Sequence, residues 1–123
     1  MVVALVAVGG VALAQTLTGN NGDNRLIGRN HRDFIRGGGS DELIRGLRAM
    51  NSRNGGAAND HIYAGLRNEQ ARDTLVGADG NVVISVFSFP AATKDAVNCG
   101  PGRERVVADH KDLLSGCERV SRR

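Results

Sequence analysis

The sequence predicts an all-β solenoid of short stacked repeats, and three registers carry that expectation. Glycines recur nine residues apart at Gly19, Gly28, Gly37, Gly46 and Gly55. Five residues after each stands an acid or its amide: Asn24, Asp33, Glu42, Asn51 and Asp60. Two further on come Leu26, Ile35, Ile44, Arg53 and Ile62. A fixed internal period means that each unit buries its apolar residue only against its stacked neighbours. Composition agrees. Aromatics are 3%, Trp is absent and 17 of 123 residues are Gly, against a usual share of about 7%. A thin core of stacked Leu, Ile and Val fits this better than a globular core of large side chains.

In chain order, residues 2–14 are all apolar or Gly, and Ala12-Leu13-Ala14 has the A-x-A form of a signal-peptidase site. The run is too short for a membrane-spanning helix, which needs about 20 residues. Residues 1–14 are therefore expected to be a signal peptide, truncated because its positive n-region is missing. A buried strand or helix is the alternative. Residues 15–18 read as a lead-in strand, and 15–94 as the repeat domain. Each repeat has a glycine-rich turn of six and a strand of three. Strand periodicity is two, so Leu26, Ile35, Ile44 and Ile62 point inward while their neighbours point outward. The fourth unit, GLRAMNSRN, would place Arg53 inward, which is costly for an unpaired charge. A local bulge or loop is expected there.

The frame slips by four residues within 64–72 and again within 86–94, where Pro90 marks a loop or strand end. Between the slips, Ile84 follows Leu75 by nine. The pattern resumes at Asp95-Ala96-Val97 and, nine later, at Glu104-Arg105-Val106. Residues 95–123 are read as capping coils, because an open solenoid end exposes unpaired strand edges.

GGGSDELIR (37–45), GNNGDNRLI (19–27) and GGAANDHIY (55–63) resemble the hemolysin-type (RTX) repeat G-G-x-G-x-D-x-U-x, with U apolar. The resemblance is clear over 19–84 and weak over 95–117. The tail VNCGPGRERVVAD also resembles the closing segment of secreted bacterial proteins of this type. The resemblance implies a parallel β-roll, in which two nonapeptides make one coil and stacked coils form two sheets. It also implies calcium between successive turns, held by position-six carboxylates and backbone carbonyls. Such all-oxygen ligation suits a hard cation.

With eighteen residues to a coil, alternate turns share an edge. One edge stacks 19–24, 37–42 and 55–60, and the other stacks 28–33 on 46–51. The first edge has Asn20, Gly38 and Gly56 at position two, Asp23, Asp41 and Asn59 at position five, and Asn24, Glu42 and Asp60 at position six. The second has Arg29 and Leu47 at position two and His31 and Ala49 at position four. Glycine tolerates positive φ that a β-carbon resists, and Arg29 and Arg32 would stand beside a cation. Calcium is therefore expected on the first edge, with Asn21, Asp23, Asn24, Gly39, Asp41, Glu42, Asn59 and Asp60 as candidate ligands. The second edge is expected to be empty despite Asp33. The alternative is turn residues that only satisfy backbone groups.

Cys99 and Cys117 lie eighteen apart, one coil of the implied roll. Stacked strand positions are about 4.8 Å apart, within a disulfide's Cα span. A bridge closing the last coil is expected, as export would allow.

Catalysis is not expected. His31, His61 and His110 pair with no nucleophile in any motif, and neither Gly-x-Ser-x-Gly nor a Walker loop is present. Asp109 and Asp112 could face each other across a turn, but on a polar tail they read as solvated. The net charge is +3 with spread arginines, the mark of a solubilising surface rather than a nucleic-acid patch. The expected function is that of a secreted, extracellular calcium-binding repeat protein, its calcium coupled to folding. The alternative is a metal-free structural or adhesive solenoid whose Arg25, Arg36, Arg45, Arg29 and Arg32 engage anionic cell-surface or matrix polymers. A third reading keeps the fold with its ligands eroded.

Overall fold

The structure, a computed structural model, describes the backbone of residues 3–6 and the whole of residues 14–65, 71–86 and 93–123. These form thirteen strands: β1 (Val3–Val6), β2 (Gln15–Thr18), β3 (Asn24–Ile27), β4 (Asp33–Gly38), β5 (Glu42–Arg45), β6 (Ser52–Gly56), β7 (His61–Tyr63), β8 (Thr74–Ala78), β9 (Val83–Ser85), β10 (Ala96–Asn98), β11 (Arg105–Ala108), β12 (Leu113–Ser115) and β13 (Arg119–Arg122). No helix occurs among the described residues, so none there is long and apolar enough to cross a membrane. The odd-numbered strands make one sheet and the even-numbered strands the other, each in sequential order. Every pairing is parallel. The chain is thus a parallel β-solenoid, and each half-coil adds one strand to alternate sheets.

The registers explain the stacking. Leu26 lies opposite Ile44, Ile44 opposite Ile62, Ile62 opposite Ile84 and Ile84 opposite Val106. This is one unbroken column, and all five residues are fully buried. Ile35 lies in the other sheet, in a column with Leu17, Arg53, Leu75, Val97 and Leu114. Burying a branched side chain of this size contributes roughly 1.5–3 kcal/mol, so the columns are the main apolar contribution to the fold. The first column ends at Val120, which pairs with Val106 and is 42% exposed.

The expected bulge at Arg53 is absent. Strand β6 is regular and pairs with β4 and β8 on both sides. Arg53 is fully buried, and its guanidinium stands 3.0 Å from Asp73 Oδ2. The ion pair supplies what the sequence expectation lacked, a partner for the inward charge. The irregularity of this repeat lies instead in its turn, where Leu47 and Ala49 take φ of 66° and 73°. Leu47 shows the cost foreseen for a β-carbon at position two, since positive φ is costly for a side chain that branches or is bulky.

The two cysteines are bonded, with Cα atoms 5.1 Å apart. Cys99 is buried and its N–H donates to the Ser115 carbonyl, while Cys117 is half-buried against the core. The bridge therefore ties β10 and the turn after it to the chain beyond β12. Cys99→Ala with Cys117→Ala should lower stability by about 3 kcal/mol. Urea melts of the oxidised, reduced and doubly substituted protein check this. Identical midpoints for all three would show that the bridge closes nothing that the coil does not already hold.

Both four-residue insertions fall on one side of the solenoid, between β7 and β8 and between β9 and β10. Residues 66–70 and 87–92, with Pro90 among them, lie outside the described residues.

Candidate metal centre

Position six begins or directly precedes strands β3 to β12 and points inward like position eight, two residues on. The thin apolar core is therefore flanked by two rows of buried polar side chains. The first row, at the start of odd strands, holds Asn24, Glu42, Asp60 and Glu104, with the apolar Val82 in the place between the last two. The second, at the start of even strands, holds Asp33, Asn51, Asp73, Asp95 and Asp112. Among the described residues, eight buried carboxylates (Asp33, Glu42, Asp60, Asp73, Asp95, Glu104, Asp109 and Asp112) accompany one buried cation, Arg53. Buried carboxylates without counter-charge must bind protons or a cation.

The two rows meet that demand differently. On the second edge each position-six oxygen accepts the backbone N–H of its equivalent one coil before. Asn51 takes that of Asp33 at 2.8 Å, Asp73 that of Asn51 at 2.8 Å, Asp95 that of Asp73 at 2.8 Å and Asp112 that of Asp95 at 3.0 Å. The Asn51 amide also donates to the carbonyls of Gly46, Arg48 and Ala49 at 3.2, 3.1 and 2.9 Å. Arg53 pairs with Asp73. Burial still pushes Asp95 up to about 7, with the backbone N–H of Asp73 opposing and the Asp73 and Asp112 charges adding to it.

On the first edge one such bond is formed. Asp60 Oδ1 accepts the Glu42 N–H at 3.0 Å, but Asp60 Oδ2 and both Glu42 carboxylate oxygens are buried without a hydrogen-bond partner. Their surroundings are oxygen. A Cβ on Gly37 would overlap the Gly55 carbonyl oxygen and stand 2.6 Å from Glu42 Oε2. One on Gly55 would overlap Asp60 Oδ2 and stand 2.9 Å from the Gly77 carbonyl oxygen. Burial, then the Asp60 charge, raises the Glu42 carboxyl to about 8. Burial raises Asp60 to about 6, against the hydrogen bond from the Glu42 backbone. Two carboxylates at successive coils thus lie beside turn carbonyls, and among the described residues no buried cation pairs with them. Such a pocket fits a hard divalent cation. Among the described residues no three His, Cys, Asp or Glu side chains converge on one point. The remaining ligands would be turn carbonyls and water.

The other expected ligands are placed less deeply. Asn24 spends its amide on its own turn, donating to Asn20 Oδ1 at 2.9 Å and to the Gly22 carbonyl at 2.5 Å. Asp41 and Asn59 are exposed and form a second ladder, which runs the opposite way. Asp41 Oδ1 accepts the Asn59 N–H at 3.0 Å, and Asn59 Oδ1 accepts the Asn81 N–H at 3.1 Å. Asp23 is exposed and lines a groove with Asp41, Glu42, Asn59 and His61. Asn21 and Gly39 lie at the exposed turn tips, where the Asn21 carbonyl accepts Ser40 Oγ at 2.7 Å.

Glu104 is not among the ligands expected from the sequence. It is fully buried, and neither carboxylate oxygen has a hydrogen-bond partner. A Cβ on Gly102 would overlap the Gly80 carbonyl oxygen and stand 2.6 Å from Glu104 Oε1. Glu104 stands at position six of the 99–104 turn, so the nine-residue register was its signal. Val82 takes that position one coil before, which leaves Glu104 without the paired carboxylate that Glu42 has. Asp112 and Asp109, expected to be solvated, are buried, and Asp112 Oδ2 accepts the Asp109 N–H at 2.8 Å.

Residues 10–48 and 54–66 match the RTX calcium-binding nonapeptide repeat, in four copies. Comparison with curated proteins and with solved structures gives no match.

Proposed function

We propose that this chain, whose residues 10–48 and 54–66 are repeats of the calcium-binding RTX type, is an exported protein that takes calcium on one edge of its solenoid and couples it to folding. The observation that carries this reading is the first-edge pair, Glu42 and Asp60, whose three buried oxygens without a hydrogen-bond partner lie beside the Gly55 and Gly77 carbonyls. Calcium would supply the missing charge, drawing on those carboxylates and on turn carbonyls of 37–42 and 55–60. Asp23, Asp41 and Asn59 sit at the mouth, where they would act through water or long-range attraction. A ligand of the folded state alone adds roughly 2.7 kcal/mol at a hundredfold excess over its dissociation constant. Extracellular sites work at about 10⁻⁴–10⁻³ M, a range that suits an exported protein.

Calorimetric calcium titration tests the edge assignment. Glu42→Ala and Asp60→Ala should each weaken binding at least tenfold, because each removes one of the two buried carboxylates of the pair. Asp33→Ala should leave it within about twofold, since Asp33 Oδ2 accepts the Arg29 N–H at 2.6 Å on the other edge. Loss of binding in Asp33→Ala with Asp60→Ala intact would reverse the assignment. No calcium heat in the parent at millimolar calcium would end it.

One observation favours a polyanion-binding role beside this one. Arg25, Arg45, Arg105 and Arg119 all lie exposed on the odd-numbered sheet. Arg36 lies on the opposite sheet and Arg32 stacks on Phe34 at 5.5 Å, so the arginines first grouped together do not share a face. Polyanion binding would weaken steeply with salt, whereas calcium-linked folding answers to chelator.

A further inference from the structure

The two edges use the same backbone plan, and the contrast between them assigns a role to Arg53. Gly37, Gly46 and Gly55 each open a turn at position one. At Gly37 and Gly55 the nearest atoms over the α-carbon belong to the Glu42 and Asp60 carboxylates and to the carbonyls of Gly55 and Gly77. At Gly46 it holds the Arg53 guanidinium, whose Nη1 is 3.0 Å from Asp73 Oδ2. The same turn has its carbonyls at Gly46, Arg48 and Ala49 held by the Asn51 amide. Positive charge thus comes from the chain at the point where, among the described residues, the first edge has no buried cation.

We infer that Arg53 is a built-in cation. It stands where a metal would otherwise neutralise the second edge, and with Asn51 it makes that edge independent of metal. The inference rests on the first-edge calcium reading only for its comparison; the part played by Arg53 is tested without calcium. Its position would suit an aliphatic residue, because it stacks between Ile35 and Leu75 in the core column. An arginine there is explained by what its head does and not by its stem.

Three variants test this. In chelator, Arg53→Met leaves Asp73 buried without its partner and should lower the melting temperature by roughly 10 °C or more. Arg53→Met with Asp73→Asn removes both charges and should recover most of that loss. Recovery would not follow if Arg53 mattered only for packing. Arg53→Met with Asn51→Asp replaces the internal cation and the amide by a second carboxylate. That variant should be destabilised in chelator and recover with millimolar calcium, with one more calcium bound than in the parent. Arg53→Met as stable as the parent overturns the proposal, and so does a loss that Asp73→Asn leaves unrepaired. A double variant at 51 and 53 that ignores calcium overturns the equivalence with a metal. If the parent itself binds no calcium, the first two variants still decide the role of Arg53.

Discussion

Asp60→Asn raises the melting temperature in chelator and removes the response to calcium. The expectation comes from the opposite edge, where Asn51 holds the same position and donates to three turn carbonyls. In Asp60→Asn the amide oxygen can keep the Glu42 N–H, and an N–H₂ group replaces the orphaned Oδ2 among carbonyls. Satisfying a buried, unpartnered group gains about 1–2 kcal/mol. The calcium-dependent gain should fall to near zero, because a neutral amide cannot supply the charge. The pH dependence follows from the same pair. Glu42 and Asp60 hold their protons to about 8 and about 6 in the folded chain, above their ordinary values. Folded protein therefore binds more protons than unfolded protein between those limits and the usual carboxylate range near pH 4. Stability in chelator is full at about pH 4 and falls as pH rises towards 8, and calcium should reverse the fall. Melts at pH 5, 6.5 and 8, with chelator and with calcium, measure both effects. An Asp60→Asn variant that melts lower than the parent in chelator and keeps its calcium shift would sink this account.

Ile44→Ala should cost about 3–4 kcal/mol, more than half the stability of a marginal domain. Ile44 is a central rung, fully buried between Leu26 and Ile62. In a stacked solenoid each rung supports both neighbours, so the cavity weakens two interfaces at once. Val120→Ala removes a methyl pair from the same column at its exposed end, and should cost no more than about 0.5 kcal/mol. Urea unfolding of both variants in calcium compares them. Equal losses would mean that stability is not set by place in the column.

The columns were legible because period nine and strand alternation together fix which residue points inward. Leu26, Ile44, Ile62 and the separate sheet of Ile35 needed nothing else. The turn at Leu47 was legible for the same reason, since the repeat puts a β-carbon where the backbone takes positive φ. Arg53 was misjudged because its partner, Asp73, stands one coil further on, across a slip in the frame. A period shows that a charge points inward but not what meets it there. The buried state of position six was also hidden. The consensus names an acid, while the depth of Glu42, Glu104 and Asp112 depends on neighbouring coils covering them. Nor does the register show that the Asn51 amide donates to three carbonyls of its own turn.

The spacing of the insertions bears on how such a chain can change. The first five steps across the first edge keep one length, Leu17 to Leu26, Ile35 to Ile44, Arg53 to Ile62, Leu75 to Ile84 and Val97 to Val106, nine residues each, and the closing step from Leu114 to Val120 shortens to six. Steps across the second edge reach thirteen from Ile62 to Leu75 and from Ile84 to Val97. The position-six hydrogen bonds survive those longer coils, joining residues 22 apart at 2.8 Å. Length is thus free to drift where the chain neutralises itself, and is held constant where carbonyls and carboxylates of successive turns must keep a common spacing. Foreign loops grafted between β7 and β8 or between β9 and β10 should leave the fold intact, while a single residue added between β4 and β5 should not.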